Sequence, residues 1–268
     1  MHKEKKKITL HAHIIKLADK IHKTKGIVLR YIKYGETSII ASVYTELFGL
    51  QSYLLNGIRT SGKKGSGRIS FFQPAAILDM EVYHNEFKQL NRVKEYRFAN
   101  VYRHIFSDVL KNGVAAYMVE LLAQCLKQPE NNYGLFAFAE DCFTALDACN
   151  DKVMANFPVF FAVQLTHFFG FLPQNITSGI RQSHEMLFDI EEGVFTDAPV
   201  FHHWYLEKRY ALILAELLQV RHPHELAEIE ANAEVRRKIL EAMERYYSIH
   251  IQDFGTLKTL PILKEIMR

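Results

Sequence analysis

The sequence predicts an α+β protein, an N-terminal OB-fold β-barrel followed by an all-helical C-terminal domain. Three observations carry this. Five β-rich runs punctuated by Gly, Asn and Pro fall between Lys25 and Arg97. From Asn100 onward, apolar residues recur at helical spacing instead. The charge changes sign near the same point. Residues 1–97 hold 18 Lys and Arg against 8 Asp and Glu, whereas residues 98–268 hold 15 against 22.

The strands follow in order. KGIVLRYIKYG ends at Gly35, ETSIIASVYTELFG ends at Gly49, and LQSYLLNGI runs into a basic loop. After Pro74, Ala76, Leu78, Met80 and Val82 alternate with Ile77, Asp79, Glu81 and Tyr83, a period of two with carboxylates on one face. FKQLNRVKEYRFA returns as the second arm of a hairpin. Five short strands of this kind fit a small closed barrel of the OB type, with an SH3-like barrel as the nearest competitor.

Helical grammar begins with Ile105, Val109, Ala116, Val119, Ala123 and Leu126, and stops at Gln128-Pro129. A second helix starts near Tyr133. A third is expected with Pro158 at its start and Gly170 at its end, because proline suits the first turn and glycine the left-handed exit. Pro173–Pro199 is less regular and contains a hairpin signal around Glu192-Gly193. Trp204–Val220 and Glu234–His250 read as helices, the latter with Val235, Ile239, Met243 and Tyr246 on one face, and LPILKEIMR closes the chain as a short helix. The expected organisation is a basic extension over 1–21, an OB-fold over 22–99 and a helical domain over 100–268. The extension is either a disordered arm or a consequence of start-site choice.

Composition excludes several function classes. The chain has 268 residues, 49% hydrophobic and 24% charged, with material for two modest domains or one large one. No apolar run approaches the roughly 20 residues that span a bilayer. Lys16, Asp19 and Lys20 interrupt the N-terminal apolar stretch, which argues against a secretory signal. Cys125, Cys142 and Cys149 lack CxxC spacing, as expected for a reduced, cytoplasmic protein. There is no HExxH, no GxSxG and no GxGxxG after a strand, so no catalytic residue, cofactor or small-molecule substrate is expected. Thirteen histidines include His202-His203 and His222-Pro-His224, but no Cys or carboxylate cluster completes four metal ligands.

The loop NGIRTSGKKGSGR, residues 56–68, is the sharpest local feature. Gly57 to Lys64 nearly matches the phosphate-binding G-x-x-x-x-G-K-[ST], with Lys64 in place of the hydroxyl that would hold magnesium. Gly65-Ser66-Gly67 disfavours the helix such a loop must open, and strand formers are read after it. Four glycines and the cations Arg59, Lys63, Lys64 and Arg68, with no acid, suit a nucleic-acid backbone instead. Tyr31, Tyr34, Tyr53 and Phe71 are candidate stacking platforms, some of which must belong to the barrel core.

In this order, KTKGIVLRYIKYGETSIIASVYTELFGLQSYLLNGIR, the basic loop, FFQPAAILDMEVYH, YMVELLAQCL, FFAVQLTHFFGFLP and RRKILEAMERYYSIHIQDFGTLKTLPILKEI resemble the RecO family of bacterial recombination mediators. The resemblance runs from about His22 to the C-terminus. It implies binding of single- and double-stranded DNA, annealing of complementary strands, and action with RecR to load RecA on strands coated by single-stranded-DNA-binding protein (SSB). It also implies capture of the acidic-hydrophobic SSB C-terminal tail, and work in the cytoplasm at the nucleoid. Arg59, Lys63 and Lys64 fall in the family's basic barrel loop and Arg236-Arg237 in its late helix. With Arg68, Arg30 and Lys25 they make the candidate DNA contacts.

One departure stands out. Many members place four cysteines after a G-F-x-P turn to hold a structural zinc. Here Gly170-Phe171-Leu172-Pro173 is followed by QNITSGIRQSHEMLF, so no zinc is expected and packing must hold the segment. The competing functional reading is a protein-interaction adaptor that docks the SSB tail through its helical domain and binds little DNA. The acidic balance of that half means such a pocket needs a local cluster of Lys or Arg.

Overall fold

A computed structural model describes residues 20–59 and 67–267; the basic extension as far as residue 19, and Lys63 and Lys64, lie outside the described residues. Five strands, β1 (Lys20–Tyr34), β2 (Ser38–Thr45), β3 (Gly49–Leu55), β4 (Ile77–His84) and β5 (Asn91–Phe98), close into a barrel in the order β1-β2-β3-β5-β4. That order, with β3 and β5 parallel, is the OB-fold and excludes the SH3-like alternative.

Closure depends on β1 serving two neighbours. Its first half pairs with β4 from Lys20↔His84 to Ile27↔Ile77, and its second half pairs with β2 from Gly26↔Thr45 to Tyr34↔Ser38. A bulge between Val28 and Arg30 bends the strand where it changes partner. Gly26 sits at that crossing, and a Cβ there would lie 2.5 Å from both Met80 Cε and Val43 Cγ1. Val28, Ala41, Val43, Tyr53, Leu78 and Val82 fill the interior with no exposed surface. The alternation expected after Pro74 holds, with Ala76, Leu78, Met80 and Val82 inside.

The stretch after Gly67 is not a strand. Residues 67–69 are helical and Ser70–Phe72 form a 3-10 turn, with Ser70 Oγ donating to the Gly67 carbonyl at 2.7 Å. The turn places Phe72 in the core and leaves its neighbour Phe71 stacked on Phe98 at 4.2 Å. Successive side chains of a strand point to opposite faces, so a strand could not give both rings to the barrel.

By internal packing, one unit runs to Val101 and takes back Gln128–Phe136; the other holds Tyr102–Lys127 and the chain from Ala137 onward. Within the first, Tyr44 is buried on the barrel's outer side, its ring beside Phe136 and its hydroxyl donating to the Asn132 carbonyl at 3.1 Å.

The second unit is built on helices α1 (Val109–Cys125), α2 (Tyr133–Ala148, from Ala137), α3 (Asp151–Phe168), α4 (Ser178–Gln182), α5 (Lys208–Leu217), α6 (Ala233–His250) and α7 (Thr259–Ile266). Three starts differ from expectation. Asp108 caps α1 by accepting the Leu110 and Lys111 N–H groups, so the helix opens at Val109 and Ile105 lies in the turn before it. Asn150 caps α3 by accepting the Val153 N–H at 3.1 Å, so the helix begins seven residues before Pro158, which lies inside it. Tyr205–Glu207, expected as the first turn of a helix, is strand β8, because Leu206 is buried opposite Phe188 while Tyr205 and Glu207 face outward. The exit at Gly170 is as expected: it has φ +81°, and the Phe171 and Gly170 N–H groups donate back to the Thr166 and His167 carbonyls.

The hairpin around Gly193 is present as β6 (Leu187–Asp189) and β7 (Val194–Thr196), and β8 completes a three-stranded sheet. Buried Asp189 accepts the Glu191 and Glu192 N–H groups and the His202 ring nitrogen at 3.3 Å. Phe188 packs on Phe195 and Tyr246, and the Tyr246 hydroxyl donates to the Phe171 carbonyl at 2.8 Å. His222 and His224 stack on each other, and among the described residues no three His, Cys, Asp or Glu side chains form a group able to hold a metal. No helix among the described residues is long and apolar enough to cross a membrane.

Asp147 ties the entry of this unit together. Its carboxylate accepts the consecutive N–H groups of Arg103, His104 and Ile105 at 2.8–2.9 Å, and buried Lys111 donates to the Asp147 and Cys149 carbonyls at the end of α2. Burial raises the Asp147 carboxyl, but the three backbone donors outweigh it and hold it below its ordinary value. Its stabilisation is therefore complete above the unfolded value of about 3.9 and is lost as pH falls through the lower folded value. Asp147→Ala should cost about 2–3 kcal/mol in urea unfolding at neutral pH. The gap to the wild type should close as pH is lowered below about 4; a pH-independent gap would contradict this assignment.

Candidate nucleic-acid interface

Outward-facing charges sort the barrel into two faces. On β1, β4 and β5, Arg97 pairs with Asp79 at 3.0 Å, and Lys94 and Lys23 both reach Glu81, at 2.8 and 3.5 Å. Glu81 is held below its usual range by its Lys94 hydrogen bond. These pairs are exposed and stabilise little, yet they neutralise that face. Beyond Ile27, β1 carries Arg30, Ile32 and Tyr34 outward, beside Ser42, Ile40 and Ser38 of β2 and Ser52 and Leu54 of β3. No carboxylate stands among them.

The parallel seam lies between β3 and β5. These strands pair only at Tyr53↔Asn91 and Leu54↔Arg92, so the barrel wall opens beyond Leu54. An open groove of about 630 Å³ follows the gap, lined by Arg68, Arg92 and Lys94, by Phe71 and Tyr96, and by one carboxylate, Glu95. Among the described residues Arg68 and Arg92 have no carboxylate partner. Tyr96 meets Phe71 edge-on at 5.3 Å, giving the floor an aromatic character. Cations free of acids beside accessible rings can hold a phosphate backbone while offering a surface for unpaired bases.

The sequence-predicted contacts are dispersed. Arg68 lines this groove. Arg59 follows β3, its backbone N–H donating to the Thr37 carbonyl at 2.9 Å and its guanidinium to the Gly35 carbonyl at 3.2 Å, which ties the loop's first residues to the β1–β2 turn. Arg30 lies on the acid-free face, its Nε donating to Ser42 Oγ at 3.4 Å. Lys25 lies opposite Asp79 on the neutralised face. Of the proposed platforms, Tyr53 is wholly interior, Phe71 is shared with the core, Tyr31 is partly buried and Tyr34 is 52% exposed.

Arg236 and Arg237 belong to the other unit. There α3, α6 and α7 enclose a shallow depression with Ala155, Pro158, Leu240 and Leu263 as floor and Arg236, Arg237 and Lys264 around it. The Arg236 guanidinium is half-buried and donates to the Ala231 carbonyl; Lys264 also pairs with Glu241 at 2.9 Å.

Known families match both parts of the chain. The description "Recombination protein O N terminal" matches residues 20–102, and "Recombination protein O C terminal" matches 107–260. The chain belongs to the recombination protein O family. A protein of Bacteroides fragilis named DNA repair protein RecO is 31% identical over 247 residues, covering 92% of this chain and 99% of its own length. Proteins of the same name from Flavobacterium psychrophilum and Flavobacterium johnsoniae are each 30% identical, covering 91% of this chain and 98% of their own.

Arg92 is the groove cation that sequence reasoning passes over, because a cation in a strand looks alike whether or not an acid lies opposite. Replacing Arg92 by alanine should weaken single-strand binding and lower its salt slope by about 0.7. Replacing Arg97, neutralised by Asp79, should change neither. Titrations at several salt concentrations decide between them, and equal effects would refute the division into two faces.

Proposed function

We propose that this chain is a DNA-binding recombination mediator in DNA repair. In this reading it binds single- and double-stranded DNA through its barrel, anneals complementary strands, and with RecR assists RecA loading on SSB-coated single strands. The observation that carries the reading is the seam groove, where Arg68 and Arg92, unpaired with any carboxylate among the described residues, stand beside Phe71 and Tyr96. The relatives' name, DNA repair protein RecO, supports the biological setting. The contact set is Arg68, Arg92, Arg30 and Arg59, continued by Lys63 and Lys64 of the basic loop, with Lys25 as a peripheral member. The protein works without catalytic residues or cofactor, in the cytoplasm at the nucleoid. Mediation of this kind needs only strands brought together on one surface.

A specific observation favours a partner role for the helical unit. An acidic half can hold an acidic tail only where cations cluster, and Arg236, Arg237 and Lys264 cluster around an apolar floor. That combination suits the acidic-hydrophobic SSB tail, with carboxylates against the cations and apolar side chains against Leu240 and Leu263. Arg236 and Arg237 then serve this peptide rather than DNA.

Charge reversal of Arg59, Lys63 and Lys64 together should weaken single-strand binding and reduce the salt slope by about 2. It should also slow annealing of SSB-coated strands, with and without RecR. Reversal of Arg236 and Arg237 should abolish binding of a labelled SSB tail peptide and leave naked-strand affinity intact. Tail binding by a wild type that binds no DNA would make the chain an adaptor instead.

A further inference from the structure

The β4–β5 hairpin carries a feature that neither charge nor core packing uses. Two buried asparagines hold its tip. Asn91, 2% exposed, accepts the Asn85 N–H on Oδ1 at 3.1 Å and donates from Nδ2 to Gln51 Oε1 at 3.1 Å. Asn85, 8% exposed, accepts the Phe87 N–H on Oδ1 at 3.0 Å, and its carbonyl accepts the Lys88 N–H. Buried amides are tolerated only when hydrogen-bonded, so this arrangement fixes the turn. At the tip it fixes, the Phe87 ring is 88% exposed. A single exposed apolar residue is unremarkable on a loose loop; here the polar bracing holds the ring's backbone in place.

The hairpin arms connect that ring to a track. Tyr83 lies opposite Arg92, Arg92 opposite Leu54, Leu54 opposite Ile40, and Ile40 opposite Ile32. These outward residues form one row across β4, β5, β3, β2 and β1. Four inter-strand steps of about 4.8 Å make it about 19 Å long. The row contains no carboxylate, has Arg92 within it and crosses the seam groove, and Tyr34 lies one step further along β1 from Ile32.

We propose that Phe87 is a stacking platform for an unpaired base at one end of a single-strand path along this row. The inference rests on the reading that the barrel binds single-stranded DNA, and it adds the residue that separates single strands from duplex. Bases in a duplex are stacked on each other and offer no free face to a lone ring, whereas any unpaired base does. Arg92, opposite Tyr83 in the row, supplies a phosphate contact and Tyr34 the ring at the far end.

The test uses the full chain, a labelled oligothymidine and a labelled duplex. Phe87→Ala should weaken oligothymidine binding about 5- to 160-fold, the range of one base–aromatic stack, with duplex affinity and unfolding temperature unchanged. Phe87→Trp should restore binding and add a fluorescence signal, above that of Trp204, that is quenched by the oligonucleotide. If the wild type binds the oligonucleotide and Phe87→Ala binds it equally well, the assignment of Phe87 is overturned while the DNA reading stands. If the wild type does not bind it, both are overturned. Equal loss toward duplex also overturns it.

Discussion

The barrel depends on one strand pairing with two partners. β1 pairs with β4 and then with β2, and it can do so because Gly26 leaves room for Met80 and Val43 where the strand bends. A side chain there would collide with the Met80 and Val43 side chains, one of which would have to move. With β1 closing one side, the other side is left to β3 and β5, which run parallel and meet at only two residue pairs. The 3-10 turn bearing Phe71 and Phe72 fills behind that gap. The seam groove is thus a by-product of how the barrel closes.

Electrostatics then separates surfaces that composition treats alike. Lys94, Arg97, Arg92 and Arg68 are all exposed cations of the same unit, but Asp79 and Glu81 on β4 lie across from the first two only. A phosphate approaching Arg97 would compete with Asp79; one approaching Arg92 would not. Which face of the barrel keeps unpaired cations is set as much by where the acids are as by where the cations are.

In the helical unit, several carboxylates act as backbone anchors. Asp147 gathers three consecutive N–H groups, Glu120 of α1 accepts the Lys258 and Thr259 N–H groups at the start of α7, and Asp189 closes the β6–β7 turn. The stretch from Phe171 to His202 is held by the Asp189–His202 hydrogen bond and by the rings of Phe171 and Phe188 against Tyr246. The excess of acid in this half is therefore partly structural, which leaves the cations of the α3–α6–α7 depression conspicuous against it.

Strand alternation after Pro74, the glycine exit at Gly170 and the amphipathic pattern of α6 were legible in the residues because each reflects a local period or a single backbone preference. The start of α3 was misplaced because Pro158 resembles a first-turn proline, whereas the cap at Asn150 depends on one side-chain hydrogen bond. Tyr205–Glu207 read as helix because three residues are too few to display a period, and only pairing with β6 makes them strand. The basic loop and its candidate cations were visible in the sequence, but Arg92 and Phe87 were not. The sequence by itself determined the order of elements, the place where strands give way to helices and the sign of the charge in each half, since these follow from short-range patterning. Only the tertiary structure decided which cations face an acid, where the barrel wall opens and which ring is held out to solvent. Those depend on register between strands far apart in the chain, which no local pattern encodes.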